Sequence, residues 1–150
     1  MKKYLVFDMD GTIANLYGVE NWLEDLNNEN TRPYEIAEPL YQMEELNKAI
    51  NELKQIGYEI IITSWLSKMA SKKYEKEIEI AKRNWVEKYE FPVDKMFCVP
   101  YGTPKAEVTK DLGGYQILID DEDRNLREWT NGNTFDANEN IIEFLKKLMG

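Results

Sequence analysis

The 150-residue chain contains no histidine. That absence removes the Ser-His-Asp triad, the Cys-His pair, phosphohistidine chemistry and histidine-ligated zinc together. Cysteine occurs once, at Cys98, so neither an intrachain disulfide nor a thiolate cluster can form, which suits the reducing cytoplasm. No apolar run approaches the ~18 residues that a membrane-spanning helix needs. The basic start at Lys2 and Lys3 meets only the short run Tyr4 to Phe7 before Asp8, which does not read as a signal peptide. A cytoplasmic protein without membrane contact is expected. Positive charge is also scarce: 19 Lys and Arg against 28 Asp and Glu give a net charge of −9. A nucleic-acid duplex is held mainly by phosphate neutralisation, so non-specific nucleic-acid binding is not expected. Any phosphate this protein handles must be met by a local positive site.

What remains is a chain with 43% hydrophobic residues and no repeat or linker, the profile of a single domain over residues 1–150. Short apolar runs end in polar residues: 4–7 before Asp8, 60–62 before Thr63 and Ser64, and 115–119 before Asp120 and Asp121. Residues 96–99 and 133–135 are further strand candidates. Between these runs the period changes to three and four. Met43, Leu46, Ile50, Leu53 and Ile56 precede Gly57, and Ala70, Tyr74, Ile78, Ala81, Trp85 and Tyr89 precede Phe91 and Pro92. Ile141, Leu145 and Leu148 mark a last helix. Strands alternating with amphipathic helices predict an α/β fold, a central parallel sheet with helices on both faces. Residues 13–40 fit this alternation poorly and read as a small cap insertion after the first strand, with one short helix near 19–26.

In open parallel sheets the site lies beyond the carboxyl ends of the strands. Those ends carry Asp8 and Asp10, then Thr63 and Ser64, then Asp120 and Asp121. Asp8 and Asp10 are two apart and share one side of an extended backbone, and Gly11 permits a sharp exit. Two carboxylates about 4 Å apart repel by roughly 4 kcal/mol at an effective dielectric near 20. They need a cation, and oxygen-only ligands suit Mg²⁺, with Asp120 as a further ligand and Asp121 orienting the metal's waters. The plainer reading is an acidic turn. Thr103, Pro104 and Lys105 read as N-cap, first helical residue and first-turn lysine, so Lys105 is either a phosphate-binding group or a solvated side chain. Thr63 and Ser64 either bind phosphate or cap the following helix. Asp123, Arg124 and Asn125 read as a solvated loop. Tyr17, Trp22, Tyr34 and Trp65 either stack a base or ring or form the core of the insertion.

Taken together, Asp8-x-Asp10-Gly11-Thr12, Thr63 with Ser64 at a strand end, Lys105 and Asp120-Asp121 resemble the four motifs of haloacid dehalogenase-like (HAD) phosphohydrolases, in that family's order. The resemblance spans residues 4 to about 136 and implies a Rossmann-like HAD fold. It implies an Mg²⁺-dependent phosphatase that hydrolyses a phosphate monoester through an aspartyl-phosphate. Asp8 would be the nucleophile and Asp10 the general acid and base. Thr63, Ser64 and Lys105 would bind phosphate, and Mg²⁺ would sit between the Asp8 carboxylate, the Asp10 main-chain carbonyl and Asp120. In motif detail the chain is most similar to the 5'(3')-deoxyribonucleotidase branch, implying a small phosphorylated substrate such as a (deoxy)nucleoside monophosphate. Two features differ from that branch: residues 13–40 build a smaller cap, and Trp65 stands where proline is expected. A reduced cap fits either a larger phosphorylated partner, such as a nucleic-acid end, or closure by a second subunit, so monomer and homodimer both stay open. The competitor from another class is a non-catalytic scaffold that keeps the fold and binds phosphate or metal. Receiver and Toprim domains also pair acidic residues for Mg²⁺, but their motif order differs from the one here.

Overall fold

A computed structural model describes residues 1–150. Strand β1 (Lys3–Phe7) is followed by an insertion with a 3₁₀ turn (Leu16–Gly18) and two short helices, α1 (Trp22–Asn27) and α2 (Arg32–Ile36). Then come α3 (Met43–Gln55), β2 (Tyr58–Trp65), α4 (Lys72–Lys88), β3 (Lys95–Val99) and α5 (Lys105–Thr109). The chain closes with β4 (Tyr115–Asp120), α6 (Asp123–Glu128), β5 (Gly132–Asp136) and α7 (Ile141–Met149). The five strands form one parallel sheet in the order β3-β2-β1-β4-β5. The α/β expectation, a central parallel sheet with helices on both faces, is borne out.

The central position of β1 explains its unbroken apolar run, because a strand buried on both faces has no polar side. Leu5 and Phe7 face one way, with Ile60, Ile62, Ile117 and Ile119, onto α3 and α7 through Leu46, Ile50, Leu53, Ile141 and Leu145. Tyr4 and Val6 face the other way with Ile61 and Leu118, onto Trp129 and the short helices α5 and α6. Helix α3 is capped by the Gln42 side chain, which accepts from Glu45 N, and it stops at Gly57, whose φ of +108° an L-residue adopts only with strain. Helix α4 is capped by Ser71, whose hydroxyl accepts from Tyr74 N. No helix is long and apolar enough to cross a membrane.

The insertion holds two short helices where one, near residues 19–26, was expected. Ala14 bridges to both Asp10 and Pro39, which closes residues 14–39 at their base. Helix α4 holds the other end. Glu29 accepts from the Ser71 amide and hydroxyl, Tyr74 Oη donates to Asn30 O, and the Trp85 indole donates to Ala37 O. Leu16 and Tyr34 join Leu66, Tyr74, Ile78 and Ala81 in a separate apolar cluster.

Candidate active site

Strand register brings the polar strand ends level. Phe7 pairs with Ile62 on one side and Ile119 on the other, so the next residues, Asp8, Thr63 and Asp120, meet at one edge of the sheet. They continue the alternation of Val6, Ile61 and Leu118, on the face that carries α5. Gly11 then turns the chain at φ +82°, and a Cβ there would collide with the Asp121 carboxylate. Only glycine lets the acidic loop after β1 approach the end of β4 this closely.

Lys105 lies between two of these carboxylates. Its Nζ donates to Asp8 Oδ1 and Asp120 Oδ2, each at 2.7 Å, and the residue is only 3% exposed. The solvated reading of Lys105 is therefore wrong. Its helix begins one residue later than expected: Pro104 is the N-cap, and the Thr103 hydroxyl donates to Pro100 O instead of capping. Asp120 also accepts from Asn125 Nδ2 at 3.1 Å and from the Glu122 amide at 2.9 Å. Asn125 was expected in a solvated loop, but Asp123 to Asn125 open α6, and Asn125 is buried against the site because it supplies a donor to Asp120.

Asp121 joins this group. Carboxylate oxygens of Asp8, Asp120 and Asp121 lie within 4.8 Å of one another, and the Thr12 hydroxyl reaches both Asp8 (3.0 Å) and Asp121 (3.2 Å). Such a set of hard oxygen donors fits Mg²⁺ or a similar divalent cation.

A second lysine, not singled out in the sequence, completes the arrangement. Lys82 on α4 is fully buried and donates to Asp10 Oδ2 (2.7 Å), Ser64 Oγ (2.7 Å) and Trp65 O (2.9 Å), with its ammonium 5.0 Å from the centre of the Tyr34 ring. Asp8 and Asp10 thus each have their own ammonium partner. Four carboxyl groups face two ammonium groups, an acidic surplus that a cation would offset.

The environments push the carboxyl groups apart. Burial alone would raise Asp8, but Lys105 beside it, a hydrogen bond with Asp121 and the charge of Lys82 together outweigh that cost and hold it below the ordinary carboxylate range. Burial lifts Asp10 above that range against the pull of Lys82. Burial and the charge of Asp8 push Asp120 up to about 6 and Asp121 up to about 8. Burial opposes the charge of Lys105, yet Asp8 and Asp120 keep its pKa above the usual lysine value.

Thr63 and Ser64 stand at the same edge, and neither caps α4, because residues 66–70 intervene before Ser71. The Ser64 hydroxyl is taken by Lys82, whereas the Thr63 hydroxyl is buried without any partner. Beside the carboxylates lies a cavity of about 500 Å³ reached by Asp8, Asp10, Asp120 and Asp121. Tyr17, Trp22, Tyr34 and Trp65 all line it, and Tyr101 joins them. Of these, Tyr34 also belongs to the core of the insertion.

Comparisons with protein-family models and with curated proteins each found no match. Among solved structures, the chain is similar to the D,D-heptose 1,7-bisphosphate phosphatase from Burkholderia thailandensis, with a TM-score of 0.58 and 12% identity over 99% of both chains. The two proteins share, over 99% of each chain, one Rossmann-like α/β fold.

Proposed function

We propose that the chain is an HAD-type, magnesium-dependent phosphatase that hydrolyses a phosphate monoester through an aspartyl-phosphate on Asp8. One observation carries the reading: the carboxylates of Asp8, Asp120 and Asp121 come within 4.8 Å of one another, with Lys105 bridging Asp8 and Asp120 and with Asp10, two residues on, held by Lys82. An ionised carboxylate beside an ammonium group is a nucleophile, and Asp10, whose pKa burial raises, suits a group that passes a proton. The fold shared with a sugar-phosphate phosphatase supports the same reaction class.

In this mechanism an Asp8 oxygen attacks phosphorus while Asp10 gives its proton to the leaving oxygen. Asp10, now ionised, takes a proton from the water that hydrolyses the acyl phosphate, returning both residues to their starting states. Lys105 neutralises the transferred group and Lys82 keeps Asp10 in place. The lone Thr63 hydroxyl supports a role for Thr63, with Ser64, in seating a phosphoryl oxygen, because a buried hydroxyl left unpaired is costly. Mg²⁺ held by Asp8, Asp120 and Asp121, with the Asp10 main-chain carbonyl, would offset the surplus negative charge and draw phosphate toward an acidic protein.

The substrate class we assign is the (deoxy)nucleoside monophosphates. The aromatic lining and small-molecule size of the cavity favour a ring-bearing leaving group over a nucleic-acid end. A screen of phosphate release with Mg²⁺ tests this across nucleoside monophosphates, sugar phosphates, phosphorylated oligonucleotide ends and an aryl phosphate. Turnover is expected on the aryl phosphate and preferentially on nucleotides. Zero release from every compound, with retained metal binding, would replace the enzyme by a scaffold; preference for sugar phosphates would overturn the nucleotide assignment alone.

A further inference from the structure

Trp65 lines the substrate cavity but takes no part in the chemical steps above, and its side chain touches the segment that carries Lys105 at two points. Its indole N–H donates to Thr103 O at 2.7 Å, two residues before the lysine. Its ring centre lies 5.6 Å from Lys105 Nζ, within the range of an ammonium–aromatic attraction. Tyr101, from the same turn, packs on the ring with centroids 4.9 Å apart.

The segment needs such a hold. Lys105 is the first residue of a five-residue helix, too short to fix its own start by helix cooperativity, and it follows a turn through Gly102 at φ +88°. Asn131 secures the helix at Ala106 O, and Trp65 secures the turn from the sheet. The ammonium itself has three N–H groups. Asp8 and Asp120 take two of them, the side chain is 2% exposed, and no other oxygen accepts the third. The aromatic ring is the remaining partner. An oxygen there would compete with an incoming phosphoryl oxygen, whereas a ring attracts the charge and leaves the N–H free to exchange.

We infer that Trp65 is a positioning residue for Lys105: its N–H fixes the turn, and its ring holds the ammonium with one donor uncommitted. The effect on turnover rests on the phosphatase reading; the effect on Lys105 does not.

The test compares Trp65→Phe, which keeps a ring but loses the N–H, with Trp65→Leu, which loses both. With an aryl phosphate and Mg²⁺, kcat is expected to fall about threefold to tenfold in the Phe variant, the worth of one neutral hydrogen bond. In the Leu variant it falls about 100-fold, as for a misplaced group. The second readout is acetylation of the native proteins by acetic anhydride, with each lysine followed by peptide mass spectrometry. Lys105 is expected to be protected in the parent and modified at least tenfold faster in Trp65→Leu. Lys82 should stay protected, since it is held by the Trp65 carbonyl that the substitution keeps. Unchanged Lys105 protection in both variants overturns the inference, as does a parallel rise at Lys82, which would mean general loosening. Exposure of Lys105 with unchanged kcat overturns the positioning role. If the parent protein has no turnover, the phosphatase reading falls, and the acetylation pattern still decides the contact.

Discussion

Lys82 and Asp10 are 72 residues apart in the chain, and their charged groups meet at 2.7 Å. The lysine draws the Asp10 pKa down against burial, so its removal raises that pKa further. Lys82→Met keeps the length of the side chain and removes the charge. The expected result is a kcat about 100-fold lower, the lower end of what general acid–base catalysis contributes. In the proposed mechanism Asp10 must ionise to serve as base, and it then titrates later, so the acidic limb of the kcat profile moves to higher pH. Steady-state kinetics across pH measures both. An unchanged profile would show that Lys82 does not govern Asp10.

Asp8→Asn separates the proposed nucleophile from the fold. The amide keeps an oxygen that can accept from Lys105, and Asp120 remains as the second partner of that lysine. Turnover is expected to fall below detection while the melting temperature stays close to that of the parent. Substantial residual activity would place the nucleophile elsewhere. Thermal unfolding alongside phosphate release distinguishes a chemical loss from a structural one.

The sheet and the edge that bears the carboxylates were legible because they rest on local patterns. A buried parallel strand reads as an unbroken apolar run, and β1, β2 and β4 each end that run at a site residue. Lys82 was hidden for the converse reason. It lies four residues after Ile78 and three before Trp85, on the buried stripe of α4, where a lysine breaks the apolar face. That intrusion was the available signal, but the partner that neutralises it is fixed only by tertiary packing. Asn125 escaped for a similar reason, since Asp123 to Asn125 are polar and only the turn after β4 aims the amide back at Asp120. The insertion was legible as an interruption of the alternation. Its path was not, because its anchors on α4 are main-chain carbonyls and the left-handed Glu29, which carry no periodic pattern.

Gly11 couples the two acidic loops, and Gly11→Ala tests that coupling. The substitution places a methyl group at φ +82° and against the Asp121 carboxylate, so backbone strain and steric conflict act together. A cost of about 1–3 kcal/mol is expected from the strained backbone. In a chain of this size each kcal/mol lowers Tm by about 2–4 °C. Metal affinity, followed by titration calorimetry, should fall as well, because Asp121 must move away from Asp8 and Asp120. A variant as stable as the parent with unaltered metal affinity would contradict the close approach.

The surplus of carboxylates also fixes how stability responds to pH before metal is added. Asp121 and Asp120 are raised by burial and by Asp8 to about 8 and about 6, above the ordinary value of 3.8 that they regain on unfolding. Between those limits the folded protein binds more protons than the unfolded chain, so stability falls as pH rises. Asp8 has the opposite sign, and its contribution is lost only below the ordinary carboxylate range, as pH falls through its lowered folded value. The metal-free protein should therefore melt at a lower temperature at pH ~8.5 than at pH ~6, and Asp121→Asn, which cannot ionise, should reduce that difference. Mg²⁺ takes the place of the protons, so the stabilisation it gives should be larger at the higher pH. Differential scanning calorimetry with and without the metal measures all three. A parent protein that gains stability between those pH values without metal, in step with Asp121→Asn, would show that the carboxylate cluster is not strained by its own charge.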